Sequence, residues 1–441
     1  MRKMLKLGLL SCAAIGPFVS VSVAQDEYFS RDKYEAVVDR VQPEFDPEAV
    51  RVGAFNVRSN AQLGVTSSSN VFASGENETS DIIIRLGAEA EATSNWTNNE
   101  VSASIGVYRN EFSDIGDESN TDVVGRVSGR LDVTKTLSIS ATGFAEQRSE
   151  AREDFANAIG VDGPIGFDRS GGEIAATYRT GRLQWDTSFG VEKSNFDDGV
   201  LTNPGPTFGQ EFDQDFRDNT RTSARSRVTY AVTPNFAVFS QGELYNNDYD
   251  ILQADPLPPG PIVPGTRNTT RRDSIGYTAA VGTNFELSAL FRGDIAVGYL
   301  KDDKADGRFK DVSGLSLDGR MVWFPTQLTN VTFTVDRRVV DLGLIETPTA
   351  LQTGFGVRVD HEFRRNVIGS VYTNFEQQDY DDVARTDDIF DVTISGTYKL
   401  NRNVHLEGFV RQTGRDVSGV PLANTLSHDI SLVGIGVKVS P

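Results

Sequence analysis

Taken every second residue, the stretch from Gly314 to Val340 splits into two faces. Leu315, Leu317, Gly319, Met321 and Trp323 share one face, and Ser316, Asp318 and Arg320 share the other. After Phe324-Pro325-Thr326-Gln327 the pattern returns. Val331, Phe333 and Val335 then lie opposite Thr332, Thr334, Asp336 and Arg338. Alternation with period two marks strands that separate two environments. Pro325 has no N–H to give to a ladder, so a tight turn is predicted over Phe324–Gln327. Trp323 falls where the apolar face meets that turn, the place of an interfacial aromatic in a membrane barrel.

From Gly53 onward the chain repeats this hairpin, with about 18 strand patterns in all. Short connections near Thr97, Lys135, Gly181, Pro234, Ala289, Pro325, Arg365 and Arg402 alternate with longer ones. The longer set includes Ser67–Ser80, Glu150–Phe167, Asp250–Asn268, Asp341–Pro348, Asp379–Arg385 and Arg415–Ala423. Thr233-Pro234-Asn235 and Asn401-Arg402-Asn403 carry explicit turn chemistry. In lipid every backbone group needs a partner, so a sheet spans only if it closes. Bacterial outer-membrane barrels have short periplasmic turns, longer external loops and an even strand number. The expected fold is therefore all-β: a single transmembrane antiparallel β-barrel of about 18 strands, with both termini in the periplasm.

The charged parity must face inward, because an Arg or Lys on the lipid face near the midplane costs about 2–4 kcal/mol. Val123, Val127, Leu131 and Val133 oppose Asp122, Arg126, Arg130 and Asp132. Phe390, Val392, Ile394 and Tyr398 oppose Asp391, Thr393, Ser395 and Lys399, while Val404, Leu406 and Val410 oppose His405, Glu407 and Arg411. Two strands fit poorly. Asn235–Asp250 mixes its faces, with a bulge as the candidate cause, and Leu426–Val439 alternates cleanly only from Val433.

Hydrophobic residues make up only 38% of the 441, which suits strands that are apolar on one face. Residues 1–24 read as a secretory signal. Arg2, Lys3 and Lys6 precede the apolar stretch Leu7–Val21, and Ser22-Val23-Ala24 is a small-x-small cleavage site. A rival lipidation site at Cys12 would leave only about four apolar residues before the cysteine. Residues 25–52 form a periplasmic leader, a tether or a partial plug, with a short amphipathic helix predicted over Asp32–Val41. Residues 53–441 form the barrel. Cleavage after Ala24 leaves 40 Lys+Arg (43 less 3) against 62 Asp+Glu, a net charge of −22. That balance argues against nucleic acid as a partner. The lone Cys12 excludes disulfides within the chain and cysteine-rich metal sites.

Several segments resemble a known family. Gln42-Pro-Glu-Phe-Asp-Pro-Glu-Ala-Val-Arg-Val-Gly-Ala-Phe55, Ser69-Asn70-Val71-Phe72-Ala73, Asp311-Val312-Ser313-Gly314-Leu315-Ser316 and Leu400-Asn401-Arg402-Asn403 resemble the putative β-barrel porin type 2 family. The similarity covers essentially all of the mature chain, and its motifs mark strand ends and turns. The resemblance implies an outer-membrane barrel of Gram-negative bacteria. It also implies lipid, lipopolysaccharide, the barrel assembly machinery and polysaccharide export components as partners. Many such barrels end on an aromatic residue, whereas this chain ends Lys438-Val439-Ser440-Pro441.

The candidate site is the lumen. Inward parity collects Arg126, Arg130, Arg225, Arg227, Arg320, Asp336, Arg338, Arg358, Asp360, Glu407 and Arg411 as pore-lining residues. Such arginines could guide an anionic solute or acidic glycan. The plainer reading is that they pair with Asp122, Asp132, Asp318, Asp336 and Asp360 on the same strands and fill the lumen. Acidic clusters such as Phe196-Asp197-Asp198, Asp248-Tyr249-Asp250 and Asp379-Tyr380-Asp381-Asp382 could take Ca²⁺. None has the spacing of a calcium loop, so no metal or cofactor is assigned. No G-x-S-x-G, H-E-x-x-H or P-loop occurs, and no enzymatic activity is expected. The leading function is a porin-like channel, with the polysaccharide link resting on the resemblance. The alternatives are a general small-solute uptake porin, and a structural or surface-interaction barrel blocked by residues 25–50 or by a loop such as Asp250–Asn268.

Overall fold

The computed structural model describes residues 35–154, 160–202, 209–250, 253–254, 269–288, 290–344, 347–420, 422 and 427–441. Eighteen long strands follow one another. They are β1 (Phe55–Ser68), β2 (Asp81–Ser94), β3 (Glu100–Phe112), β4 (Asn120–Asp132), β5 (Leu137–Ser149), β6 (Gly166–Thr180), β7 (Leu183–Phe196), β8 (Asn219–Thr233) and β9 (Phe236–Tyr249). The second half comprises β10 (Ser274–Ser288), β11 (Phe291–Lys304), β12 (Val312–Thr326), β13 (Thr329–Asp341), β14 (Thr349–Arg364), β15 (Val367–Tyr380), β16 (Arg385–Lys399), β17 (Val404–Gly419) and β18 (His428–Val439). Each pairs antiparallel with the next, and β1 pairs with β18 from Ala61↔Val439 to Ser68↔Leu432. The sheet is a closed antiparallel barrel of 18 strands, and an even count leaves both of its ends on the short-turn side.

Two turn expectations need correction. The β15–β16 connection spans only 381–384, as short as a periplasmic turn, because Asp379, Tyr380 and Arg385 belong to the strands. Pro325 lies inside the end of β12. The ladder steps from Trp323↔Val331 to Thr326↔Thr329, and this bulge accommodates a residue with no N–H.

Burial is inverted relative to a soluble protein. Leu63, Ile84, Val127, Ile394, Val410 and Ile435 are exposed on the outer face, while Gln352 and Asp387 are completely buried. The mixed faces of β9 do not come from a bulge in β9, whose register with β10 is unbroken. Phe239 and Tyr245 point inward, and their rings lie over Gly282 and Gly276 of β10, leaving no room there for a Cβ. β18 is irregular because Ile430 and Leu432 turn inward, where Ala73 of the β1–β2 loop covers them.

One seam in the wall is incomplete. The β12–β13 ladder reaches only to Leu317↔Arg337 at its outer end. Beyond it, Val312–Ser316 pair with β11 alone and Arg338–Asp341 with β14 alone.

The leader lies against the inner periplasmic rim. Ala36 O accepts from the N–H groups of Asp39 and Arg40 at 3.0 and 3.1 Å, a single turn where a helix was predicted (residues 32–34 lie outside the described residues). Helix does not propagate because the rim takes the polar groups. The Val37 N–H donates to Asn330 Oδ1 at 2.7 Å, and Arg40 binds Glu362 at 2.7 Å. Lys399 Nζ donates to Asp46 Oδ1 at 2.7 Å, and His405 Nε2 lies 2.9 Å from Phe45 O. Val50–Val52 then pairs with the start of β1.

Candidate functional site: the barrel lumen

Strand alternation carries every second side chain into the lumen, where a cavity of about 2380 Å³ runs along the barrel. Its lining extends from Thr97, Lys135 and Thr136 at periplasmic turns to Glu150, Asp154, Leu342 and Gly343 at the outer end. Between them the wall is rich in hydroxyl groups, such as Ser138, Ser140 and Thr142, with Phe144, Tyr245, Tyr372 and Phe409 among them. The leader covers the rim from β13 to β17, whereas the periplasmic lining lies at β3 to β7. The strap therefore occupies one side of the mouth.

Of the eleven residues chosen from parity, all but Arg320 and Asp360 line this cavity. Arg320 shares the inward parity of β12 with buried Ser316, Val322 and Phe324. Asp360 is buried beneath the leader. Its carboxylate accepts from Arg358 Nε at 2.9 Å, Asn330 Nδ2 at 2.9 Å and Ser370 Oγ at 2.5 Å. It therefore acts as a structural acceptor and not as a pore wall. Three arginines have the same-strand partner that spacing suggests: Arg130 with Asp132 at 3.4 Å, Arg338 with Asp336 at 3.7 Å, and Arg358 with Asp360. The column on β8 pairs across strands. Arg225 reaches Glu243 of β9 at 3.2 Å. Arg227 binds Asp294 of β11 and lies 3.5 Å from the Phe239 ring centre. Glu407 lines the wall from β17, and so does Arg411, which binds Asp391 of β16. Charges paired in this way present alternating donors and acceptors along the wall.

At the outer end two segments fold inward. The β5–β6 connection crosses towards β17, and Glu153 meets Arg411 at 3.4 Å. Two ion pairs buried on both sides hold it. Arg152 donates to Glu118 at 2.9 and 2.6 Å, and Arg217 donates to Glu150 at 3.0 Å while lying 3.8 Å from the Phe196 ring. The second segment is the outer end of the β13–β14 hairpin. Tyr249 OH of β9 donates to Asp341, and Arg272 Nη1 donates to Leu344 O at 2.7 Å. Most of the Pro-rich loop at 250–268, a candidate block of the lumen or an external knob, lies outside the described residues.

A family profile described as putative beta-barrel porin 2 matches residues 42–440. The chain belongs to this family. Solved structures are similar to the chain at low identity. The ferric enterobactin receptor PfeA of Pseudomonas aeruginosa, as a mutant, is 8% identical, covering 87% of this chain and 80% of that one at TM-score 0.47. The outer membrane protein opdK of Pseudomonas aeruginosa is 10% identical, covering 88% and 99% at TM-score 0.43. The copper transporter OprC is 11% identical, covering 89% and 81% at TM-score 0.48. A comparison with curated protein sequences gave no match. A porin-family barrel of this construction belongs to the bacterial outer membrane.

In this barrel the outer ion pairs escape strand parity, because Glu118, Glu150, Arg152 and Arg217 sit in connections. Their sequence signal is charge inside loops that are otherwise acidic. The acidic clusters are mostly used internally. Asp250 pairs with Lys193 at 3.0 Å, and Asp382 accepts from the Lys310 N–H at 2.7 Å. Asp198 comes together with Asp213 and Asp215 on the surface.

Burial, with Glu150 and Glu153 beside it, pushes Asp154 well above the usual carboxylate range, and Arg415 opposes this only in part. Tucking therefore favours the protonated carboxyl, whereas a released loop titrates near the free value of about 3.9. Between that value and the raised one, each step up in pH favours release. Trypsin cleavage after Arg152 should thus accelerate severalfold with rising pH, beyond its rate on a matched unfolded peptide. Asp154→Asn should flatten the profile, and an unchanged profile in that variant would reject the assignment.

Proposed function

We propose that the protein is a passive porin-like conduit whose lumen accommodates a hydrated, polar polymer, with exported polysaccharide as the cargo. The observation that carries this reading is the long polar cavity of about 2380 Å³, lined by hydroxyls, paired charges and aromatic faces from the periplasmic turns to the outer segments. Sugar hydroxyls exchange hydrogen bonds with such a wall, and the ring faces of Phe144, Tyr372 and Phe409 suit pyranose C–H groups. Paired arginines impose no strong ion selectivity. The resemblance to barrels that accompany polysaccharide loci supports the direction of transport.

Planar-bilayer conductance tests the reading, with and without residues 25–50. Stable steps that are blocked by neutral sugar polymers of graded size are expected. Steps indifferent to polymers, together with rapid liposome swelling in small sugars and amino acids, would indicate a general uptake porin. The strap and the inward outer segments favour a second reading, a barrel held closed until a partner acts. Silence in the full-length protein but conductance after truncation would support it.

A further inference from the structure

Two pairs of residues that a continuous wall would keep on opposite faces are packed together. Leu300 of β11 and Val312 of β12 stand on the inward parity, with Asp302 and Ser316. Val339 of β13 and Leu351 of β14 stand on the outward parity, with Val335 and Phe355. Yet Leu300, Val312 and Leu351 form one buried apolar cluster, and Val339 packs against it. Leu351 Cδ2 lies 3.7 Å from where a Cβ on Gly314 would stand, although β13 separates β14 from β12 in sheet order. These contacts require the outer end of the β13–β14 hairpin to slide inside the wall, so that its outer face covers the inner face of β11–β12.

The polar contacts agree. Tyr249 and Asp341 are four strands apart, roughly 19 Å along the wall at the usual strand spacing, and they hydrogen-bond directly. The opposite face of the hairpin end is buried too, with Val340 and Ala350 against Tyr380 and Leu422. Both parities are apolar here, at Val339-Val340 and Ala350-Leu351, the pattern of a strand covered on two sides. Leu342 and Gly343 are thereby carried to the cavity.

The sliding leaves its trace in the ladder, which stops at Leu317↔Arg337. Continuing that register would place Gly314 opposite Val340 and Leu315 opposite Val339. Zipping would satisfy the free edges of Val312–Ser316 and Arg338–Asp341, as lipid demands of backbone groups. It would also return Val339 and Leu351 to the lipid face that their parity fits. The tucked state gains apolar packing and forgoes backbone pairs, and the zipped state reverses the exchange. Such an element has two discrete packings that a ligand can bias.

We propose that the outer ends of β13 and β14 form a gate, hinged at Leu317↔Arg337, that narrows the lumen when tucked and widens it when zipped to β12. The proposal does not depend on the cargo.

Cysteine pairs test it in the full chain, whose one native cysteine, Cys12, precedes the expected cleavage site. Gly314→Cys with Leu351→Cys locks the tucked state. Leu315→Cys with Val339→Cys locks the zipped state. Val297→Cys with Leu317→Cys, which are registered partners in the wall, reports whether oxidation works. The zipped lock should raise single-channel conductance severalfold and reverse on reduction. The tucked lock should abolish the large openings. Equal conductance in both locked forms would overturn the gate, as would a 315/339 pair that never oxidises while the 297/317 control does. Conductance that responds to the locks but not to sugar polymers would leave the gate standing and remove the polymer reading.

Discussion

Ile394→Arg is expected to destabilise the barrel by about 2–4 kcal/mol, the cost of an arginine on the lipid face near the midplane. Ile394 is 56% exposed near the middle of β16, and its registered neighbours Val371 and Val410 are exposed as well. All three side chains point away from the lumen, and no described acid shares their patch. A guanidinium there has only lipid around it unless it bends towards the headgroups. Ser395 is the control. It is one residue on, points inward and lines the cavity, so Ser395→Arg meets water and nearby lumen acids. Its cost should stay below about 1 kcal/mol. Urea titration of folding into lipid vesicles gives both values. Equal penalties at 394 and 395 would mean that the two faces are assigned wrongly, and the lumen chemistry would fall with them.

The wall was legible because period two is a strong signal when each face has one solvent. Val404, Leu406 and Val410 against His405, Glu407 and Arg411 suffice to orient β17. Turn residues placed the periplasmic side, with Pro325 misplaced by only a step into a bulge. Parity could not reveal what later covers an inward face. Asp360 has the pattern of a pore residue, but Arg358, Asn330 and Ser370 of the wall make it a buried acceptor, and the leader, more than 300 residues away in sequence, binds Asn330 beside it. Phe239 and Tyr245 made β9 look disordered in pattern because the glycines that receive their rings lie on β10. The adjacent valines Val339-Val340 did carry a signal. Two apolar parities at a strand end say that both faces are covered, but the covering partners come from β11, β15 and the β17–β18 loop. Long-range cover of this kind is a tertiary fact, and local periodicity holds no record of it.

Asp387→Ala should cost about 3–5 kcal/mol, more than the loss of both partners together. Arg385 and Asp387 are two residues apart on β16 and both side chains are wholly buried. Arg385 Nε and Nη2 donate to the two carboxylate oxygens at 2.6 and 2.7 Å. Tyr380 OH adds a donor to Asp387 at 3.2 Å, and its ring centre lies 5.2 Å from the guanidinium. Tyr380 in turn belongs to the cluster that holds the β13–β14 end. Removing the carboxylate alone takes the bidentate acceptor from a buried cation, and an acceptor from a phenol hydroxyl, beneath that cluster. Arg385→Met with Asp387→Leu removes both charges and keeps the volume, so its cost should be near neutral. The cycle therefore predicts a strong favourable coupling between 385 and 387. Measured by urea titration in vesicles, a double variant as unstable as Asp387→Ala would show that the pair contributes more than mutual neutralisation. The single variant should also loosen the seat of Tyr380 and raise the frequency of large openings. A destabilised barrel with unaltered gating would separate the ion pair from the hairpin end, and would confine its role to the wall.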